Sequence, residues 1–157
     1  MLHIRILAVG QLKERFWKDA CMEYLKRLKP YASVAIAELP DVDPARVGGE
    51  AQAIEREGEA ILRALNPGET VILLDIGGKP LSSPDIANAL DAFALEGTSN
   101  LTFVIGGSCG TTDAVRQRAQ ARWSLGRITL PHNLARVVLL EQIYRAFKIS
   151  RGEPYHK

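Results

Sequence analysis

Apolar residues fall into short continuous runs, separated by stretches in which they recur every three or four positions. That alternation predicts strand and helix in turn along the whole chain. Leu2–Val9 is an apolar run closed by Gly10, which reads as a first strand. Phe16, Ala20, Tyr24 and Leu28 recur every fourth residue across Glu14–Leu28 and predict an amphipathic helix stopped by Pro30. Val34–Leu39 reads as a second strand and Asp41–Gly49 as a loop. Glu50–Leu65 is a charged, exposed helix ended by Asn66-Pro67-Gly68. Val71–Asp75 is a short continuous apolar run, as expected of a strand buried on both faces, and Leu101–Ile105 reads as another buried strand. The first passes into a turn, Gly77–Pro80. Ser83-Pro84 then starts a helix, with the hydroxyl as cap and proline at the first helical position. The second passes into Gly106-Gly107-Ser108-Cys109-Gly110 and a helix start at Thr111–Asp113. Trp123–Leu130 predicts a last strand broken at Pro131, Leu134–Ile149 a long final helix, and Ser150–Lys157 a tail. The expectation is a single α/β domain over 1–157 with a mostly parallel sheet and no linker, repeat or low-complexity stretch.

The final helix is apolar over more than one face: Leu134, Val137, Val138, Leu139, Leu140, Ile143, Tyr144, Ala146, Phe147 and Ile149 exceed a single stripe. Such a helix either runs through the middle of its own domain or turns a second face to another subunit. In a chain this short a subunit interface is the favoured reading, through residues such as Val138 and Ile143.

Composition narrows the function classes. With 46% hydrophobic and 24% charged residues, the chain has the make-up of an ordinary globular domain. Two cysteines are too few for a disulfide scaffold or a multi-cysteine zinc site, and the three histidines have no ligand spacing, so no metal is expected. The amino terminus lacks a signal-peptide layout and no run approaches a membrane span, so the expected compartment is the cytoplasm, with no membrane partner. Net charge is +2, but it is unevenly placed. Asp113–Lys157 carries nine basic and three acidic residues, a net +6 against −4 for the first 112 residues. A basic third of a near-neutral domain is a footprint for a polyanion, although scattered solvated charges on helices give the same count.

Candidate chemistry gathers at strand ends, where open α/β sheets bind ligands. Leu74-Asp75-Ile76-Gly77-Gly78, Ile105 through Gly110, and Leu125 through His132 are each rich in glycine or turn residues. Any one of them is an ordinary βα turn. Three in one small domain point to a shared small-molecule pocket. The second reads G-G-x-x-G, not the dinucleotide fingerprint, and there is neither a phosphate loop nor a serine-nucleophile elbow. Cys109 has no base partner identifiable by spacing. The tail Arg151-Gly152-Glu153-Pro154-Tyr155-His156-Lys157 sets a ring, an imidazole and a cation together, a composition suited to an unpaired base, or to a tail tied down by packing alone.

The block from Ile128-Thr129-Leu130-Pro131-His132 through Arg136–Ile149 to Pro154-Tyr155-His156-Lys157 closely resembles the RNA large-subunit methyltransferase H family of SPOUT-class enzymes. Leu7-Ala8-Val9-Gly10, Leu74-Asp75 with Gly78-Lys79, and Phe103-Val104-Ile105-Gly106-Gly107 are similar too, so the resemblance spans the chain. It implies an α/β knot: a mostly parallel sheet with helices on both faces and a C-terminal trefoil knot, an exception to the rule against knots. It implies S-adenosylmethionine as methyl donor, contacted by Leu74, Gly106, Leu125, Gly126, Arg127, Ile128, Thr129 and Leu130, the same three strand ends. It further implies a homodimer whose substrate is N3 of a pseudouridine in the helix-69 stem-loop of 23S ribosomal RNA, on the assembled ribosome. The loop at Ser108-Cys109-Gly110 departs from other members, which takes Cys109 out of the chemistry.

On that resemblance the chemical groups are sought in the tail. His156 is the candidate base or hydrogen-bond partner, Arg145 and Lys157 the cations for developing charge, and Tyr155 the ring that orients the base. Arg136 and His132 are candidates to hold a phosphate or a partner's tail. Two other readings remain: a non-catalytic ribosome-binding module of the same fold, and a SPOUT methyltransferase acting on transfer RNA.

Overall fold

The computed structural model describes residues 1–157. Eleven elements alternate along it: β1 His3–Val9, α1 Arg15–Leu28, β2 Ser33–Leu39, α2 Pro44–Val47, α3 Glu50–Ala64, β3 Thr70–Pro80, α4 Ser83–Leu95, β4 Asn100–Ile105, α5 Asp113–Arg118, β5 Ala121–Ser124 and α6 His132–Ser150. The five strands form one sheet in the order β2-β1-β4-β3-β5, every neighbouring pair parallel. All five therefore deliver their carboxyl ends to one edge.

The period-two geometry of a strand sorts its side chains between two faces. Ile4, Ile6, Ala8, Ile72, Leu101, Phe103 and Ile105 point to one face, where they meet Cys21 and Leu28 of α1, Ile86 and Leu90 of α4, and Leu139 and Ile143 of α6. Leu7, Val9, Val71, Leu73 and Val104 point to the other, against Ile61 of α3 and Val115 of α5. Helices thus cover both faces. No helix is long and apolar enough to cross a membrane.

Three local readings are corrected by the structure. The last strand stops at Ser124 instead of continuing to Leu130. Ser124 Oγ accepts from Gly126 N at 3.2 Å and donates to Gly126 O at 2.9 Å, closing a turn that Gly126 completes at φ +125°. The chain therefore leaves the sheet. β3 does not end in a turn: residues 75–78 bulge and Lys79-Pro80 rejoin β5 opposite Trp123 and Ser124. The cap of α4 is Ser82, one residue before the expected hydroxyl, in a capping box with Asp85.

The breadth of apolar surface on α6 is also explained within one chain. α6 lies on the sheet with α1 on one side and α4 on the other. Ser83 Oγ donates to Gln142 at 2.5 Å and Ser150 Oγ to Asp91 at 2.9 Å, pinning α6 to α4 along its length. Ile143 is wholly buried in the single chain, so it belongs to the core and not to an interface. Val138 remains half-buried on the surface.

Candidate functional site

The carboxyl ends of β3, β4 and β5 and the first turn of α6 enclose a cavity of about 550 Å³. Its walls are mostly apolar, with a few polar groups converging, the usual make-up of a small-molecule site. Each wall has a local cause. At the end of β4, Gly107 and Gly110 pair across a tight loop, with Gly110 at φ +101°. Thr112 then caps α5, its hydroxyl accepting from Val115 N at 3.2 Å. That loop lies so close to α3 that a Cβ on Gly58 would come within 2.7 Å of the Thr112 side chain. At the end of β5, the turn at Gly126 sends Leu125–Leu130 across the cavity.

The far wall is α6, whose start is anchored to β1. The His132 ring lies against Gly10, where a Cβ would sit 2.9 Å from Cε1. Arg136 donates from Nη2 to Gly10 O at 3.2 Å and from Nη1 to Glu38 Oε2 at 2.6 Å. Arg136 is 1% exposed, so it cannot hold an external phosphate. Its role is to tie α6 to the ends of β1 and β2. Partial burial alone would raise the Glu38 carboxyl, but hydrogen bonds from Arg136 and Leu12 N, with the guanidinium charge, hold it below the usual glutamate range. His132 lines the cavity, with Nδ1 buried and unpartnered.

Of the eight positions expected to contact a donor, Leu74, Gly106, Leu125, Gly126, Ile128, Thr129 and Leu130 line this cavity. Arg127 does not; its side chain points to solvent. The tail residues are elsewhere. Arg145 lies thirteen residues beyond His132 on α6, about 20 Å along the helix axis. There Arg145 Cζ stands 4.7 Å over the Tyr155 ring, and Tyr144 meets that ring edge-on at 4.9 Å. Burial pushes the Tyr155 phenol up from its ordinary value. Glu153 accepts from Lys148 Nζ and Tyr31 Oη, both at 2.7 Å, which folds the tail back onto α6. Arg145 Nη1 lies 3.2 Å from His156 Nδ1 while its Nε holds Glu141 at 2.9 Å. A guanidinium can only donate, so Nδ1 accepts and a neutral His156 carries its proton on Nε2. Lys157 is exposed and makes no ion pair. The structure therefore brings the two groups of predicted residues into two separate clusters.

Sequence reasoning missed Arg116, which lines the cavity, and the ring cluster of Tyr24, Tyr31 and Tyr144 that seats the tail, whereas Asp75 lines the cavity as part of the expected Leu74–Gly78 strand end. The terminal aromatic and its cations hinted at the second. Arg116 lies outside all three strand-end segments, and nothing in its spacing marked it.

A parallel α/β domain with a cleft at the strand ends has the architecture of many ligand-binding enzymes, and comparison with known proteins gives the class. Residues 2–156 match the family described as predicted SPOUT methyltransferase. The chain is 49% identical over 160 residues to the ribosomal RNA large subunit methyltransferase H of Desulfitobacterium hafniense, covering 100% of both. It is 52% identical over 161 residues to the protein of the same name from Symbiobacterium thermophilum, covering 99% of this chain and 100% of that one. The Enterococcus faecalis protein of that name is 46% identical over 159 residues, with 99% and 100% covered. The chain belongs to the SPOUT methyltransferases and, within them, to the ribosomal RNA large subunit methyltransferase H family.

Proposed function

We propose that this chain uses S-adenosylmethionine to methylate N3 of a pseudouridine in the helix-69 stem-loop of 23S ribosomal RNA, on assembled ribosomes in the cytoplasm, as a homodimer with a knotted C-terminal segment. One observation carries the donor half of the reading: seven of the eight expected donor positions line one cavity at the ends of three parallel strands. Its volume of about 550 Å³ suits a nucleoside with an amino-acid arm. Glycines at 106, 107, 110 and 126 leave backbone open to close approach. The names of the full-length relatives support ribosomal RNA as the substrate class.

When bound, S-adenosylmethionine supplies an electrophilic methyl group on a sulfonium leaving group. The chain's part is to hold donor and acceptor in line and to assist loss of the N3 proton. Arg145 and Lys157 would stabilise negative charge developing on the ring, and Tyr155 would orient it. With Nδ1 engaged by Arg145, His156 presents Nε2–H, so it serves as a hydrogen-bond donor to a ring oxygen and the proton leaves to solvent. Because the tail is folded away from its own chain's cavity, one active site would combine the cavity of one subunit with the tail of the other.

Ribosomes purified from cells lacking the mark, incubated with the protein and labelled donor, should gain one methyl group, located by mass spectrometry of 23S fragments. Label on transfer RNA would select the competing substrate class. No label anywhere, with no donor binding by calorimetry, would leave a non-catalytic ribosome-binding module.

A further inference from the structure

Two charged side chains line the cavity, Asp75 at the end of β3 and Arg116 in α5. Neither belongs to the eight expected donor positions nor to the tail. Asp75 Oδ2 lies 3.5 Å from Arg116 Nε and 3.2 Å from Arg122 Nη1, and Oδ1 accepts from Gly77 N at 3.1 Å. The Asp75 side chain is 14% exposed, so the bulge at residues 75–78 holds it in place. Arg116 Nη1 is engaged by Asp113 at 2.8 Å, while Nη2 has no partner within the chain. The cluster balances two carboxylates against two guanidiniums. It therefore offers opposite charges side by side, with no surplus of either sign.

A phosphate would call for surplus positive charge. A balanced pair at one end of a largely apolar cavity fits a ligand whose own end carries an anion and a cation on adjacent atoms. We propose that Asp75 and Arg116 form the subsite for the zwitterionic amino-acid end of S-adenosylmethionine, Arg116 Nη2 donating to the α-carboxylate and Asp75 accepting from the α-ammonium. The proposal rests on the donor reading above and adds an orientation to it. The amino-acid arm lies towards β3 and α5, and the nucleoside lies against the wall formed by Leu125–Leu130 and Ala135.

The test compares two ligands by calorimetry: S-adenosylhomocysteine, and 5′-methylthioadenosine, which keeps the nucleoside thioether but lacks the amino-acid end. Wild-type protein should bind the first more tightly. Arg116→Gln should weaken S-adenosylhomocysteine roughly ten- to a hundredfold, the usual range for a lost charge-assisted hydrogen bond, and leave 5′-methylthioadenosine within about twofold. Arg116→Lys should recover part of the loss, and Asp75→Asn should act in the same ligand-selective sense. Arg116 is on the surface of a short helix, so melting curves should change little. Equal weakening of both ligands, or of neither, overturns the subsite. Unchanged affinity for both with a raised KM for ribosomes overturns it too, giving Arg116 to an RNA phosphate. If the wild type binds neither ligand, the donor reading itself fails.

Discussion

At the scale of single residues, three glycines at the strand ends do different work. A Cβ on Gly78 would come within 2.7 Å of the Arg122 carbonyl, which is backbone and cannot move aside. One on Gly107 would collide with the Glu57 carboxylate, itself buried and accepting from Val42 N at 2.8 Å. One on Gly106 meets Gly110 O and Thr111 Cβ at an ordinary 3.5 Å. Gly106→Ala should therefore fold and melt like the wild type, whereas Gly106→Leu should melt normally yet bind S-adenosylhomocysteine at least about tenfold more weakly, because its side chain must enter the cavity. Loss of fold in Gly106→Leu would remove the distinction. The Glu38–Arg136 pair gives a second residue-scale prediction. A carboxylate held below its unfolded value contributes stability above that value, near pH 4.3, and loses it as pH falls through the folded one. Glu38→Gln should cost roughly 2–3 kcal/mol at pH 7, less than for a fully buried pair since the Glu38 side chain is 36% exposed. It should also flatten the fall in stability below about pH 4.5, read from urea titrations at several pH values. An acid limb as steep as the wild type's would assign that dependence to other carboxylates.

At the scale of elements, the parts governed by local pattern were legible and the parts set by tertiary contact were not. The runs Val71–Leu73 and, Thr102 apart, Leu101–Ile105 are apolar because both sheet faces are covered, and each reads as a buried strand. The short α2 was passed over because Pro44 and the glycine pair look like loop, although Asp43 accepts from Ala45 N as a cap. Leu125–Leu130 looked like strand because its apolar residues are spaced like one, but they are apolar to line a cavity, and only the turn at Ser124–Gly126 reveals it. α6 is too apolar for one face because α1 and α4 flank it on both sides, contacts with no sequence signature. Of the candidate site, the strand-end loops could be found from glycine and turn content, while Asp75 and Arg116, forty-one positions apart, meet only through the fold. Ile143, being core, makes a sharp prediction for this helix. Ile143→Glu should prevent folding altogether, since the charge would be buried without a partner. Val138→Glu, half-buried on the surface, should leave a folded chain and weaken the proposed dimer. Sedimentation separates the two, and a folded, monomeric Ile143→Glu would reverse the assignment.

At the scale of the whole molecule, the separation of cavity and tail constrains how the proposed active site can be assembled. Within one chain the tail is clamped by Glu153 to Lys148 and Tyr31, and Tyr155 packs against Tyr144, about 20 Å along α6 from the cavity wall at His132. In the proposed symmetric dimer, a tail too far from its own cavity serves the partner's if the interface brings the two together. Mixed dimers test this. When one subunit lacks Tyr155-His156-Lys157 and the other carries Gly106→Leu, the first cavity is intact and the second tail is present, so one site should work and activity should be about half that of wild type. When both lesions lie in one subunit, the intact cavity faces the truncated tail and the intact tail faces the damaged cavity, so activity should vanish. The opposite pattern would mean that each tail unclamps to serve its own chain, and equal activity in both pairings would make the tail dispensable. Donor binding measured on the same preparations should report one competent cavity per dimer in each pairing, since the tail contributes nothing to the wall that Leu74, Gly106 and Leu125–Leu130 form. The contrast between equal binding and unequal turnover is what a site shared between subunits requires.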